Sequence, residues 1–189
     1  LREHSSQHPL AQFRDKCTVE DVLASPNLSP PIRLMQAAGI STGAAAVVVA
    51  APEVLNGSAV DAVKVSGWGE YHDPAHFIPR EGPITSFVSV KQAVASAMQQ
   101  SGRSIDDVDV AEVYDLSSAL ELDWYEQLGL CPVGEAEALL RSGDTEIGGR
   151  IPVNPSGGLG AFGEAIPAQA IAQVCELAWQ LRGQAGHRQ

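Results

Sequence analysis

A chain of 189 residues, 44% of them hydrophobic, is long enough to bury a core without disulfides or a structural metal. Its 23 acidic residues outnumber 12 basic ones for a formal charge of −11, and the Lys and Arg residues are scattered singly, which argues against a nucleic-acid partner. Three cysteines, Cys17, Cys131 and Cys175, lie far apart without CxxC or Cys/His spacing, against a zinc site or a disulfide framework and in keeping with a reducing cytoplasm.

In chain order, Leu1 to Pro31 reads as an extended connection with one short helix, for which Thr18 is the cap and Glu20 and Asp21 the acidic first turn. From Ser41 to Ala50 a Gly turn leads into a run of small and β-branched residues, the pattern of a strand buried on both faces, with helix as the alternative for its Ala-rich part. The apolar stretch Ala44 to Ala51 is too short to span a bilayer, and the N-terminus shows neither a charged leader nor an apolar h-region.

Ala62 to Ser66 alternates as a second strand ended by Gly67-Trp68-Gly69, and Glu70 to Phe87 is a loop rich in Pro, His and Gly. Apolar residues at Val90, Ala93, Val94, Ala97 and Met98 predict a helix capped by Ser89 and closed by Gly102. Val108 to Tyr114 returns to strand, and this alternation is the signature of α/β layering. Ser118 and Glu121 form a capping box for a helix that stops at Gly129, and Glu135 to Leu140 supplies another. After a turn at Asn154 to Gly158, the residues Ile166, Ala170, Ile171, Val174, Leu177, Ala178 and Leu181 mark a long amphipathic helix ended by Gly183.

Chemistry is expected at three places. Tyr114 and Asp115 leave the carboxyl end of a strand, where ligand sites of α/β sheets collect; the plain alternative is that Asp115 caps the next helix and Tyr114 packs. Asn154 with Gly157 and Gly158 makes a turn that a ligand can approach closely, or a simple tight turn. Glu164 sits just ahead of the long helix, as a base or water-orienting carboxylate, or as a first-turn acid that steadies the helix dipole. His72 and His76 are spaced four apart around Pro74 without helical periodicity and make a poor metal pair, and Trp68, Trp124 and Trp179 read as packing anchors.

Four segments carry a family likeness: 17–23 (CTVEDVL), 41–48 (STGAAAVV), 109–115 (DVAEVYD), and 153–159 (VNPSGGL) with 180–186 (QLRGQAG). At this relative spacing the chain resembles the thiolase superfamily, in the branch of sterol-carrier-protein thiolases and lipid-transfer-type thiolase homologues. The resemblance implies an α/β thiolase-like fold, its C-terminal half a mixed central sheet between helix layers, incomplete at both ends. Residues 1–52 would be the end of the loop region and the last strand of the N-terminal half, and residues 60–189 the C-terminal domain without its final strands. The family's nucleophilic cysteine would lie upstream of this sequence.

Two family histidines fall on Tyr114, in the run matching His-Asp-Cys-Phe, and on Glu164, in the run matching Gly-His-Pro; Leu116 stands for the cysteine of the first motif. A tyrosine at position 114 resembles the thiolase-fold aldolases of steroid side-chain degradation. The resemblance thus implies Tyr114 and Glu164 as catalytic residues, Asp115, Asn154, Gly157 and Gly158 as substrate-binding residues, no metal, and a coenzyme A thioester as substrate rather than a bound cofactor. It further implies a homodimer at full length and a small zinc-ribbon/OB-fold partner. The activity it implies is that of a thiolase-like acyltransferase forming or cleaving carbon–carbon bonds of acyl-CoA thioesters; the alternatives are a non-catalytic subunit that binds acyl-CoA or lipid or acts as a scaffold, and a retro-aldol lyase of the steroid side-chain degradation type.

Overall fold

A computed structural model describes residues 1–55, 61–72 and 87–189. In chain order they form α1 (Arg2–Ser6), α2 (Val19–Ala24), β1 (Asn27–Ser29), β2 (Ile32–Arg33), α3 (Val88–Ser101), α4 (Ser118–Gln127), α5 (Ala136–Ser142), α6 (Gly158–Phe162) and α7 (Ala168–Leu181). They group into two compact units: Leu1–Val63, Asp109–Glu121 and Gly143–Gln189 in the first, Lys64–Val108 and Leu122–Ser142 in the second. His76 and most of the loop expected over residues 70–87 lie outside the described residues.

Local signals act as expected. Thr18 Oγ1 accepts from the Asp21 amide at 3.1 Å while the Asp21 carboxylate accepts from the Thr18 amide at 2.8 Å, a reciprocal cap for α2. Gly102 ends α3 in the left-handed region, with φ of 66°. The N-terminal caps of α3 and α4 differ from expectation. Phe87, not Ser89, precedes α3. Ser117, one residue before the expected cap, takes the Leu120 amide on its hydroxyl at 3.2 Å, and Ser118 Oγ instead accepts from Gln36 at 3.1 Å.

The first unit is drawn together by single bridges rather than by long ladders. Ile40 pairs with Glu164 and Ala111 with Val153, both parallel, and Ala37 with Ser117 antiparallel. Parallel pairing between segments far apart in sequence, with helices between them, is the α/β character expected of the chain. The strand expected over 108–114 shrinks to the bridge at Ala111. Those expected over 41–50 and 62–66 do not form among the described residues; Val48 and Val49 are 96% and 81% exposed. Small and β-branched residues favour an extended backbone, but a strand exists only where a second one satisfies its N–H and C=O groups. Among the described residues the one ladder is the hairpin β1–β2.

The core of this unit is the run from Val153 to Leu159, buried without interruption, joined by Ile151, Ala161, Val113 and Ala185. α7 packs on it with an unexpected face. Gln169, Glu176 and Gln180 are buried, while Val174 and Leu181 are exposed, so the apolar stripe read from the sequence is not the face that the unit covers.

In the second unit, Gln100 of α3 donates to the Trp68 carbonyl at 2.8 Å, holding the segment 67–69 along the helix. The Phe87 and Trp124 rings lie 5.4 Å apart, so Trp124 is a packing residue as expected, whereas Trp68 is exposed.

Candidate functional site

The site grows from residues 111–115 and the turn that begins at Asn154. Ala111 donates to the Pro152 carbonyl at 3.0 Å and accepts from the Asn154 amide at 2.8 Å, which brings the two segments side by side. Alternation then sorts their side chains, because successive residues of an extended segment point to opposite faces. Val113 and Asp115 are buried, while Glu112 and Tyr114 occupy the other side.

Tyr114 and Glu164, 50 residues apart, meet directly: the phenol donates to Glu164 Oε1. Glu164 is placed by backbone, its amide donating to Gly39 O at 2.7 Å and its carbonyl accepting from Ser41 at 3.0 Å. The reading of Glu164 as a first-turn residue of the long helix is corrected, since Ile166 and Pro167 intervene and α7 begins at Ala168. The hydrogen bond to Glu164, with burial and the neighbouring charge added, pushes the Tyr114 phenol up to about 12, so it is a proton donor across the neutral range.

The other four expected residues form a buried frame. Asp115 does not cap the helix that follows it; its carboxyl accepts from the Leu159 and Gly160 amides at 2.8 and 3.3 Å. Asn154 is fully buried with φ of 49°, and its Oδ1 accepts from the Val113 amide at 2.7 Å. Gly157 and Gly158 have φ of 97° and 62°, and a Cβ on Gly158 would stand 2.4 Å from Asp115 Oδ1. Tyr114 and Glu164 are thus brought together, while Asp115 and Asn154 turn inward.

A cavity of about 480 Å³ opens beside this frame. Gly158, Gly163 and Ala165 reach it, as do Glu112, Ser156, His8, Gln169 and Trp179, but Tyr114, Asp115, Asn154 and Glu164 do not line it. Several of these groups escaped sequence reasoning. Glu112 takes the Ser156 amide and hydroxyl on its two oxygens at 3.0 and 2.8 Å. Glu176 holds Arg188 through two bonds of 3.0 and 2.9 Å, with His8 Nε2 at 3.4 Å. The alternation that places Tyr114 also places Glu112, and was the available signal; nothing local marks His8 or Arg188.

Burial raises the Glu112 carboxyl to about 8, against the Ser156 donors and with the charges of Glu176 and Asp115 adding to it. Burial likewise raises Asp115 to about 7, opposed by the Leu159 and Gly160 amides and reinforced by Glu121. Between about pH 4 and pH 8 the folded chain therefore holds protons that the unfolded chain has released, so stability falls as pH rises. A loss on the order of a few kcal/mol from pH 5 to pH 9 is expected in urea melts. Glu112→Gln should flatten that slope; a variant as pH-dependent as the parent would show that Glu112 is already ionised in the fold.

Among the described residues no group of three or more His, Cys, Asp or Glu could hold a metal ion, and His72 is hydrogen-bonded to Glu70 at 3.1 Å. Among the same residues no helix is long and apolar enough to cross a membrane.

Comparison with known proteins adds five findings. A family model described as Thiolase C-terminal domain-like matches residues 69–189. The chain is 36% identical over 191 residues to sterol carrier protein 2 of Homo sapiens, covering 99% of this chain and 35% of that protein. It is 37% identical to an acetyl-CoA acetyltransferase of Methanothermobacter thermautotrophicus and 34% to benzoylsuccinyl-CoA thiolase subunit BbsB of Thauera aromatica, covering 49% and 47% of them. The chain thus spans half or less of the relatives' length. Among solved structures it superposes on the Ltp2-ChsH2(DUF35) aldolase with a TM-score of 0.74 and 25% identity, over 99% of this chain and 49% of that one.

Proposed function

This chain belongs to the thiolase superfamily, through that superfamily's C-terminal portion, and from that premise we propose that it supplies the acid–base pair of a site acting on acyl-CoA thioesters. The reaction is the making or breaking of a carbon–carbon bond. The observation that carries this reading is the direct pairing of Tyr114 with Glu164 at the two positions where the family pattern has histidine. Tyr114 is the proton donor or oxyanion partner and Glu164 the base.

In the cleavage direction Glu164 takes the proton of a β-hydroxyl, the carbon–carbon bond breaks to a carbonyl compound and a thioester enolate, and Tyr114 hydrogen-bonds the enolate oxygen until carbon is protonated. Asp115, Asn154, Gly157 and Gly158 hold the backbone against which the thioester lies. No step calls for a metal or a bound cofactor.

Similarity to an aldolase supports cleavage, and that neighbour's name, which couples Ltp2 to ChsH2(DUF35), supports a partner subunit; a small zinc-ribbon/OB-fold protein is the partner proposed. A homodimer and a cytoplasmic setting complete the proposal, the latter in keeping with three free cysteines. A second reading, a non-catalytic subunit that binds acyl-CoA or lipid, is favoured by the replacement of both family histidines.

The test is a panel of acyl-CoA and β-hydroxyacyl-CoA esters offered to the full natural polypeptide, with and without the partner. Tyr114→Phe and Glu164→Gln are each expected to lower kcat at least tenfold, at the lower edge of general acid–base effects. Unchanged turnover in both variants overturns the assigned roles, and tight binding without any turnover in the parent selects the second reading.

A further inference from the structure

His4 lies in the N-terminal stretch that the sequence presents only as a connection, yet it is buried, and its Nδ1 lies 2.9 Å from the Asn154 carbonyl. A carbonyl can only accept, so Nδ1 carries the proton and donates. Burial lowers the pKa of His4, which favours the neutral ring with one N–H to give. The same carbonyl accepts the Gly157 amide at 2.8 Å, closing the turn. Asn154 needs this support because its φ of 49° is a conformation that a residue with a Cβ adopts only at a cost of about 1 kcal/mol or more.

The neighbours of His4 brace the same turn. Ser5 is fully buried against Gly157, so closely that a Cβ there would stand 2.7 Å from that of Ser5. Further along, the Gln12 and Phe13 amides both donate to Ala161 O, at 3.1 and 3.0 Å. The segment from His4 to Phe13 thus grips the stretch 154–161 at its two ends.

We infer that His4 is a positioning residue: by donating Nδ1–H to the Asn154 carbonyl it holds the Asn154–Gly158 turn in the conformation that the site requires. Its effect on chemistry rests on the function proposed above, whereas its effect on the turn does not.

Two variants separate the role from simple packing. His4→Leu fills the space without a donor, and His4→Asn returns an N–H at nearly the same reach. Hydrogen exchange at the Gly157, Gly158 and Leu159 amides should quicken at least tenfold in His4→Leu, return to within about threefold of the parent in His4→Asn, and stay unchanged in α3. In the turnover assay His4→Leu should lower kcat severalfold with KM little moved, and His4→Asn should restore it.

Exchange unchanged at these three amides, or raised evenly throughout the first unit, overturns the inference. Turnover that His4→Leu leaves intact overturns its catalytic half. Should the exchange pattern appear in a parent protein that neither binds nor converts acyl-CoA, the proposed function fails while the strut stands. Were His4→Leu not to fold, the parent's imidazole decides alone: a slowly exchanging Nδ1–H resonance is expected, and a ring protonated at Nε2 instead refutes the hydrogen bond.

Discussion

Glu176→Ala should destabilise the fold by about 3–5 kcal/mol, the usual cost of removing one partner of a buried ion pair. Glu176 and Arg188 are 1% and 6% exposed, and the guanidinium spends two donors on the carboxylate while Gln180 adds a third bond at 3.0 Å. Alanine leaves a buried cation and a void, with His8 losing the carboxylate 3.4 Å away. Burial would raise the Glu176 carboxyl, but hydrogen bonds from His8 and Arg188, with the Arg188 charge, outweigh it and hold the group down at about 2.

The sign of the pH effect follows. A depressed carboxylate contributes stability that is complete above its unfolded value near pH 4.5 and is lost as pH falls toward 2. Urea melts should show Glu176→Ala losing less stability to acid over that window than the parent does, the remainder coming from carboxylates such as Asp21 that its cap also holds low. Replacing Arg188 as well, as in Glu176→Leu with Arg188→Met, should recover most of the loss, because a well-packed apolar pair avoids burying charge. A single-variant cost under about 1 kcal/mol would mean that Arg188 simply swings into water.

Gly158→Ala carries the next largest cost, about 2–4 kcal/mol, from two sources that a control can divide. A φ of 62° costs alanine about 1 kcal/mol, and the new methyl would also stand 2.4–2.6 Å from the Asp115 carboxyl. To make room, Asp115 must give up the Leu159 and Gly160 amides that it holds. Gly183→Ala is the control: its φ is 66° and nothing lies within 4 Å of the added Cβ, so only the backbone part is paid. If the two variants melt together, the Asp115 carboxyl moves aside freely and the frame around it is soft.

How far the sequence alone reaches is shown by particular residues. Thr18 with Asp21, and Gly102, mark helix ends through bonds that span three or four positions, and such signals survive any tertiary surroundings. The motif positions also brought Tyr114 and Glu164 to one place, although no property of either residue foretells that they touch. The buried side of α7 is not the one its apolar spacing points to. Hydrophobic periodicity assumes that the covered face is apolar, and here it carries Glu176 and Gln180 because partners are on hand for them, Arg188 for Glu176, and the Glu176 carboxylate and Arg188 carbonyl for Gln180; Gln169 is buried beside them with its Oε1 unpartnered among the described residues.

By itself the sequence determined that the segments of α2, α3, α4, α5 and α7 coil, though not those of α1 and α6, and which family pattern the chain follows, since these depend on neighbours a few residues apart or on order along the chain. Only the tertiary structure decided that residues 41–50 stay without a ladder, that Asp115 serves α6 rather than α4, and that His4 and His8 of the N-terminal stretch reach Asn154 and Glu176. Those outcomes turn on hydrogen-bond partners more than 40 residues away, and a donor or acceptor has no meaning in a fold until its partner is in place.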